Sequence, residues 1–148
     1  PYHGVQWLEN KGSMEFQLRD IGRFYGAVSA AAGDMDGDGD LDIVVSSWNN
    51  FWEEPGRQTM LWFENDGQQQ FTPHRLLGPT SGIVSFELAD VTDDGRLDIV
   101  AGLFDYGNTI SRHIALGYGR PDPTLNIQGE SDRFLLITRE VGDSSDSE

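Results

Sequence analysis

The chain repeats itself, and the period is the strongest limit on its fold. WLENKGSMEF at 7–16 returns as WFENDGQQQF at 62–71. GDMDGDGDLDIVV at 33–45 returns as ADVTDDGRLDIVA at 89–101. The second spacing is longer than the first by a single position. That slip falls between the two blocks, where a loop absorbs it. A unit of this size cannot bury a core alone, so it must stack against neighbours of its own kind.

Each unit reads as short strands. The pattern predicts strands at 7–10, 16–19, 27–32 and 41–46, and again at 61–65, 71–76, 84–89 and 97–102. Turns are expected at Asn10-Lys11-Gly12 and Asn65-Asp66-Gly67, because Asn and Gly accept the positive φ of tight hairpins. The Ile43-Val44-Val45 and Ile99-Val100-Ala101 runs suit buried inner strands. Four short strands in about 55 residues is the size of a propeller blade. A β-sandwich also has short strands, but it does not require two near-identical acidic loops at a fixed period.

The expected fold is therefore all-β: four-stranded β-propeller blades, about two and a half of them, forming an incomplete propeller. The units span about 5–60 and 61–108, with a degenerate blade at 109–141 and a disordered acidic tail at 142–148. Within the degenerate part, 111–119 reads as a worn copy of the Trp-containing strand and turn. Arg133–Arg139 reads as a strand after a Pro-rich connection at 121–123.

Charge narrows the partners. Twenty-five acidic residues face ten basic ones, a net charge of −15, which repels nucleic acid and attracts cations. No apolar run approaches the roughly 18 residues of a membrane-spanning helix, so no membrane insertion is expected. The segment PYHGVQWLEN carries neither the basic nor the apolar region of a signal peptide. Cysteine is absent, which excludes disulfides, thiolate zinc sites and a cysteine nucleophile.

The acidic loops hold the charge most densely. The first is Asp34-Met35-Asp36-Gly37-Asp38-Gly39-Asp40-Leu41-Asp42, with carboxylates at positions 1, 3, 5 and 9 and glycine at 6. Position 7, Asp40, can offer its backbone carbonyl. Calcium takes six to eight hard oxygens at about 2.3–2.6 Å, and alternate residues of a tight loop can supply them. The second loop runs from Asp90 to Asp98, with Asp94 at position 5 and Gly95 at 6. Thr92 stands at position 3 and Arg96 at 7, so a weaker site is expected there. An EF-hand is excluded: position 12 is Val45 or Ala101, not a bidentate Glu, and a strand follows instead of a helix.

The D-x-D-x-D-G-x-x-D loop entering an LDIVV strand, paired with a W-x-E-N hairpin, resembles the FG-GAP/VCBS family of repeats, over about residues 5–106. That resemblance implies integrin-α-like propeller blades with structural calcium and no catalysis. It implies two Ca²⁺ sites: Asp34, Asp36, Asp38 and Asp42 with the carbonyl of Asp40, then Asp90, Thr92, Asp94 and Asp98 with the carbonyl of Arg96. It also implies an extracellular, cell-surface or periplasmic location.

Propellers have four to eight blades, so this chain does not close a ring by itself. Neighbouring blades are expected as partners, from a longer chain or from neighbouring subunits. The faces expected to need covering carry Trp7, Trp62, Phe71 and the Ile-Val runs.

No enzyme signature is present. His3, His74 and His113 form no local ligand pair, and no G-x-S-x-G, P-loop or G-x-G-x-x-G occurs. Two aromatic segments, 48–55 and 104–108, are candidates for stacking on a glycan or anchoring a surface protein. The functional expectation is a non-catalytic, calcium-stabilised module for interaction or assembly. The alternatives are a lectin-like propeller, or an accessory domain of a larger secreted enzyme or electron-transfer protein.

Overall fold

A computed structural model of the chain describes residues 3–48, 58–77, 82–104, 125–131 and 134–139. Their ten strands are β1 (Val5–Gly12), β2 (Glu15–Gly22), β3 (Ala27–Gly33), β4 (Asp42–Ser47), β5 (Met60–Asn65), β6 (Phe71–Leu77), β7 (Gly82–Ala89), β8 (Asp98–Phe104), β9 (Leu125–Ser131) and β10 (Phe134–Arg139). All eight strands expected from the repeat are present, and so is the strand expected after the Pro-rich connection. The segments 49–55, 105–108, 111–119 and 142–148 lie outside the described residues.

Pairing is antiparallel throughout, in a two-stranded sheet β1-β2 and two four-stranded sheets, β3-β4-β5-β6 and β7-β8-β10-β9. The architecture is that of incomplete propeller blades. The sheets are out of phase with the sequence units 5–60 and 61–108. Each sheet combines the last two strands of one unit with two strands that follow. The reason is local: the acidic loop joins β3 to β4 as a hairpin, and the Ile-Val strand then takes the Trp strand of the next unit as its neighbour.

Alternation along the middle sheet gives it two apolar faces. Ile43, Val45, Leu61, Phe63 and Phe71 gather on one face with Val5, Ile21 and Phe24 of the β1-β2 layer. Val44, Met60, Trp62, Leu76 and Leu77 gather on the other with Ile83, Phe86, Ile99 and Ala101 of the last sheet. The three sheets are thus stacked with the four-stranded β3–β6 sheet in the centre. Trp7 meets Phe71 edge-on at 5.7 Å between ring centroids. A Cβ at Gly22 would overlap the Phe63 ring, so only glycine permits that approach. Trp62 and the Ile-Val runs are therefore covered inside the stack, contrary to expectation. The large apolar side chains left in water include Leu8, Phe16 and Leu18.

The last sheet reproduces the register of the middle one with different sequence. Ile43 pairs with Phe63 and Val44 with Trp62; one repeat on, Ile99 pairs with Ile137 and Val100 with Leu136. The third place in the sheet is filled by β10. The first hairpin turn also differs from expectation. Ser13 and Met14 form it, with φ of 50° and 66°, while Gly12 takes up a register shift at the end of β1.

Candidate metal centre

Asp42 and Asp98 open β4 and β8 and are 0% and 2% exposed. A buried carboxylate needs donors, and the backbone supplies them. Asp42 Oδ2 accepts the Met35 amide at 2.9 Å and Oδ1 accepts the Asn65 amide at 2.8 Å. Asp98 Oδ2 accepts the amides of Val91 and Thr92 at 2.9 and 3.1 Å. The position-9 aspartate thus fixes where each loop starts relative to its strand.

The rest of the first loop curls around its own carboxylates. Asp34 accepts the amides of Gly37 and Gly39 at 2.7 and 3.0 Å. Asp36 accepts the Asp38 amide at 3.2 Å, and Asp38 accepts the Asp40 amide at 3.0 Å. This winding brings oxygens of Asp34, Asp36 and Asp42 within 4.8 Å of one another. Asp38 lies outside that group. Asp40 places Oδ1 in a buried position with no hydrogen-bond partner among the described residues. Burial pushes the Asp36 carboxyl above its ordinary value, helped by the charges of Asp38, Asp42 and Glu64. Burial also raises Asp40, with Asp38, Asp42, Asp36 and Asp34 adding to the shift.

The second loop winds similarly. Asp90 accepts the amides of Asp94 and Gly95 at 3.1 and 2.8 Å, and Asp94 accepts the Arg96 amide at 2.9 Å. Thr92 changes the centre: its hydroxyl donates to Asp98 Oδ2 at 3.1 Å. Among the described residues, the one group of three acidic or histidine ligands close enough for a metal is in the first loop.

A family model described as the FG-GAP-like repeat matches residues 1–45 and 50–101. The chain belongs to the FG-GAP-like repeat family. Searches of curated proteins and of solved structures matched nothing.

Within this FG-GAP-like pair, the structure adds residues that loop spacing did not show. Asn65, from the W-x-E-N hairpin, closes over the first loop: its amide reaches Asp42, its side-chain nitrogen donates to the Leu41 carbonyl at 3.2 Å, and its Oδ1 accepts the Gln69 amide at 3.0 Å. The repeated Asn is the available signal, although its place two residues before Gly marks it only as a turn residue. The preceding Glu also has a repeated partner. Glu9 bonds Lys11 and Arg19, which hold its carboxyl below the usual range. Glu64, its counterpart in the next repeat, bonds His74 in the position equivalent to Arg19. His74 also packs on Trp62 with ring centroids 4.8 Å apart, and His3 stacks on Tyr25 at 5.1 Å.

Proposed function

We propose that this chain is a non-catalytic, calcium-stabilised β-propeller module for protein interaction or assembly outside the cytoplasm. One observation carries the metal reading: three carboxylates converge beside a buried, unpartnered Asp40 oxygen. Without a cation, that arrangement leaves like charges facing one another around the buried Asp42 carboxylate. The donor set is all hard oxygen, which suits calcium better than softer-ligand metals. Asp34, Asp36 and Asp42 would hold the ion, and bound calcium would neutralise their mutual repulsion. Asp40 completes the set with its carbonyl, or with the oxygen that has no other partner.

The role that follows is structural. The loop links β3 to β4, and Asn65 links the loop to β5, so an ion there would staple three of the four strands of one blade. FG-GAP repeats are typically non-catalytic, and His74 and His3 are engaged in packing.

The test is thermal unfolding in calcium and in EDTA, with metal analysis of the purified protein. Calcium is expected to raise Tm, and the purified protein to carry the ion. Identical melts together with metal-free protein would sink the proposal.

A further inference from the structure

The chain holds four Asp-Gly pairs: Asp36-Gly37, Asp38-Gly39, Asp66-Gly67 and Asp94-Gly95. In such a pair the glycine nitrogen can attack the side-chain carbon of the aspartate, because glycine adds no Cβ to crowd the approach. The four pairs are placed alike. Oδ1 of each aspartate accepts the amide two residues on: Asp36 from Asp38 at 3.2 Å, Asp38 from Asp40 at 3.0 Å, Asp66 from Gln68 at 2.8 Å and Asp94 from Arg96 at 2.9 Å. All four glycines have positive φ, between 73° and 97°. Solvent reaches every pair.

The glycine amides are what differ. Gly37 and Gly39 donate to Asp34 at 2.7 and 3.0 Å, and Gly95 donates to Asp90 at 2.8 Å. The first aspartate of each acidic loop thus holds the nitrogen that would attack. In the hairpin, Asn65 and Asp66 accept the amides of Gln68, Gln69 and Gln70 instead. The Gly67 amide makes no hydrogen bond among the described residues.

We propose that Asp66-Gly67 is a site of spontaneous covalent modification, the isomerisation of Asp66 to isoaspartate. The Gly67 nitrogen gives up its proton and bonds to Asp66 Cγ. One carboxyl oxygen leaves as water, and a five-membered succinimide closes. Water then adds to one ring carbonyl and reopens the ring, so no atom is gained or lost. Opening at the main-chain carbonyl leaves Gly67 joined through the Asp66 side chain, which inserts Cβ into the backbone. In the acidic loops the same attack must first break a hydrogen bond to a carboxylate, which slows it roughly tenfold or more.

The inserted atom falls where the hairpin meets the first loop. A Cβ on Gly67 would already stand 3.2 Å from Asp40 Oδ2. On the other side of Asp66, Asn65 holds Asp42 and the Leu41 carbonyl. A longer turn therefore displaces Asp40 and Asn65 and loosens the loop. That consequence rests on the calcium reading above; the isomerisation does not.

The test is warm incubation of the full 148-residue chain at mildly acidic pH in EDTA, folded and in urea, with linkages mapped by proteolysis and electron-transfer fragmentation. In the folded protein, isoaspartate at 66 should exceed that at 36, 38 and 94 roughly tenfold. In urea the four should converge. Asp34→Ala frees the Gly37 and Gly39 amides and should raise isoaspartate at 36 and 38 but not at 66. Asp90→Ala should do the same at 94, an independent check in the other loop. Three results would overturn the proposal: equal yields at all four pairs of the folded chain, another pair ahead of 66, or an intact Asp66 while the urea sample reacts. Aged protein should lose its calcium shift in Tm in proportion to isoaspartate at 66, and Asp66→Ser, with no carboxyl to cyclise, should keep it. A full calcium shift in isomerised protein would overturn the link to the loop. Isomerisation at 66 with no calcium shift even in fresh protein would count against the metal reading only.

Discussion

The loops at 34–42 and 90–98 share their first, fifth, sixth and ninth residues in kind, yet their centres are built differently. In the first, position 3 is Asp36, which brings a third carboxylate towards Asp34 and Asp42. In the second, position 3 is Thr92, whose hydroxyl donates to Asp98. A hydroxyl supplies the proton that a pair of carboxylates lacks, so the second loop satisfies its buried acid internally. The first has no such donor and is left with excess negative charge. The comparison teaches that position 9 anchors both loops, while position 3 adds a third carboxylate to the first and a hydroxyl donor to the second.

The largest expected effect tests the part the loops share. Asp42→Ala removes an acceptor used by two backbone amides and should cost about 2–4 kcal/mol in EDTA, and more in calcium, where a ligand is lost as well. Asp98→Ala should cost a similar amount. Urea unfolding of both variants measures it. A loss seen for Asp42→Ala only in calcium would mean that position 9 is a ligand and not a structural anchor.

Exchanging position 3 tests the part that differs. With calcium at a hundred times its Kd, binding adds about 2.7 kcal/mol to stability. Asp36→Thr should remove most of that gain. Thr92→Asp should cost about 1 kcal/mol in EDTA by deleting the bond to Asp98, and should add or strengthen a second calorimetric binding event. If Asp36→Thr leaves affinity unchanged, charge at position 3 does not separate the loops.

Much of the fold was legible because period-2 apolar strands and a duplicated block are local signals. The eight repeat strands follow from Ile-Val runs, Trp strands and Gly-rich turns. The phase of the sheets was not legible, since a repeat marks sequence identity and not which edge pairs with which. The last sheet shows this limit. Phe134–Arg139 takes the place of the Trp strand with no sequence likeness to it beyond its apolar character. At the site, loop spacing marked Asp34, Asp36 and Asp42 but could not reveal that Asp38 stays outside the group or that Asn65 arrives from the following strand. The first depends on how the loop turns on its own carboxylates, the second on hydrogen bonds between distant residues.

Proton competition sharpens the contrast further. Asp36 and Asp40 are raised above the ordinary 3.8 by burial and by neighbouring carboxylates. A carboxyl raised on folding holds its proton more tightly in the folded state, so metal-free stability gains as pH falls through the folded pKa towards the unfolded one. Calcium must displace those protons. The Tm difference between calcium and EDTA should therefore shrink as pH falls from neutral to about pH 4. An undiminished difference at about pH 4 would place the ion away from Asp36 and Asp40.

The smallest effect compares the two hairpins instead of the two loops. Gly12 and Gly67 have φ of 89° and 73°, a region in which alanine is strained by about 1 kcal/mol. Backbone strain alone predicts equal losses for Gly12→Ala and Gly67→Ala. Space predicts otherwise, because a Cβ at 67 presses on the Asp40 carboxylate at 3.2 Å and one at 12 meets nothing. Gly67→Ala should therefore lose somewhat more stability in EDTA, and it should also weaken calcium binding by displacing Asp40. Gly12→Ala should leave calcium binding untouched. Melting curves of the two variants with and without calcium make the comparison. Equal losses under all conditions would mean that the acidic loop does not lean on the hairpin that follows it.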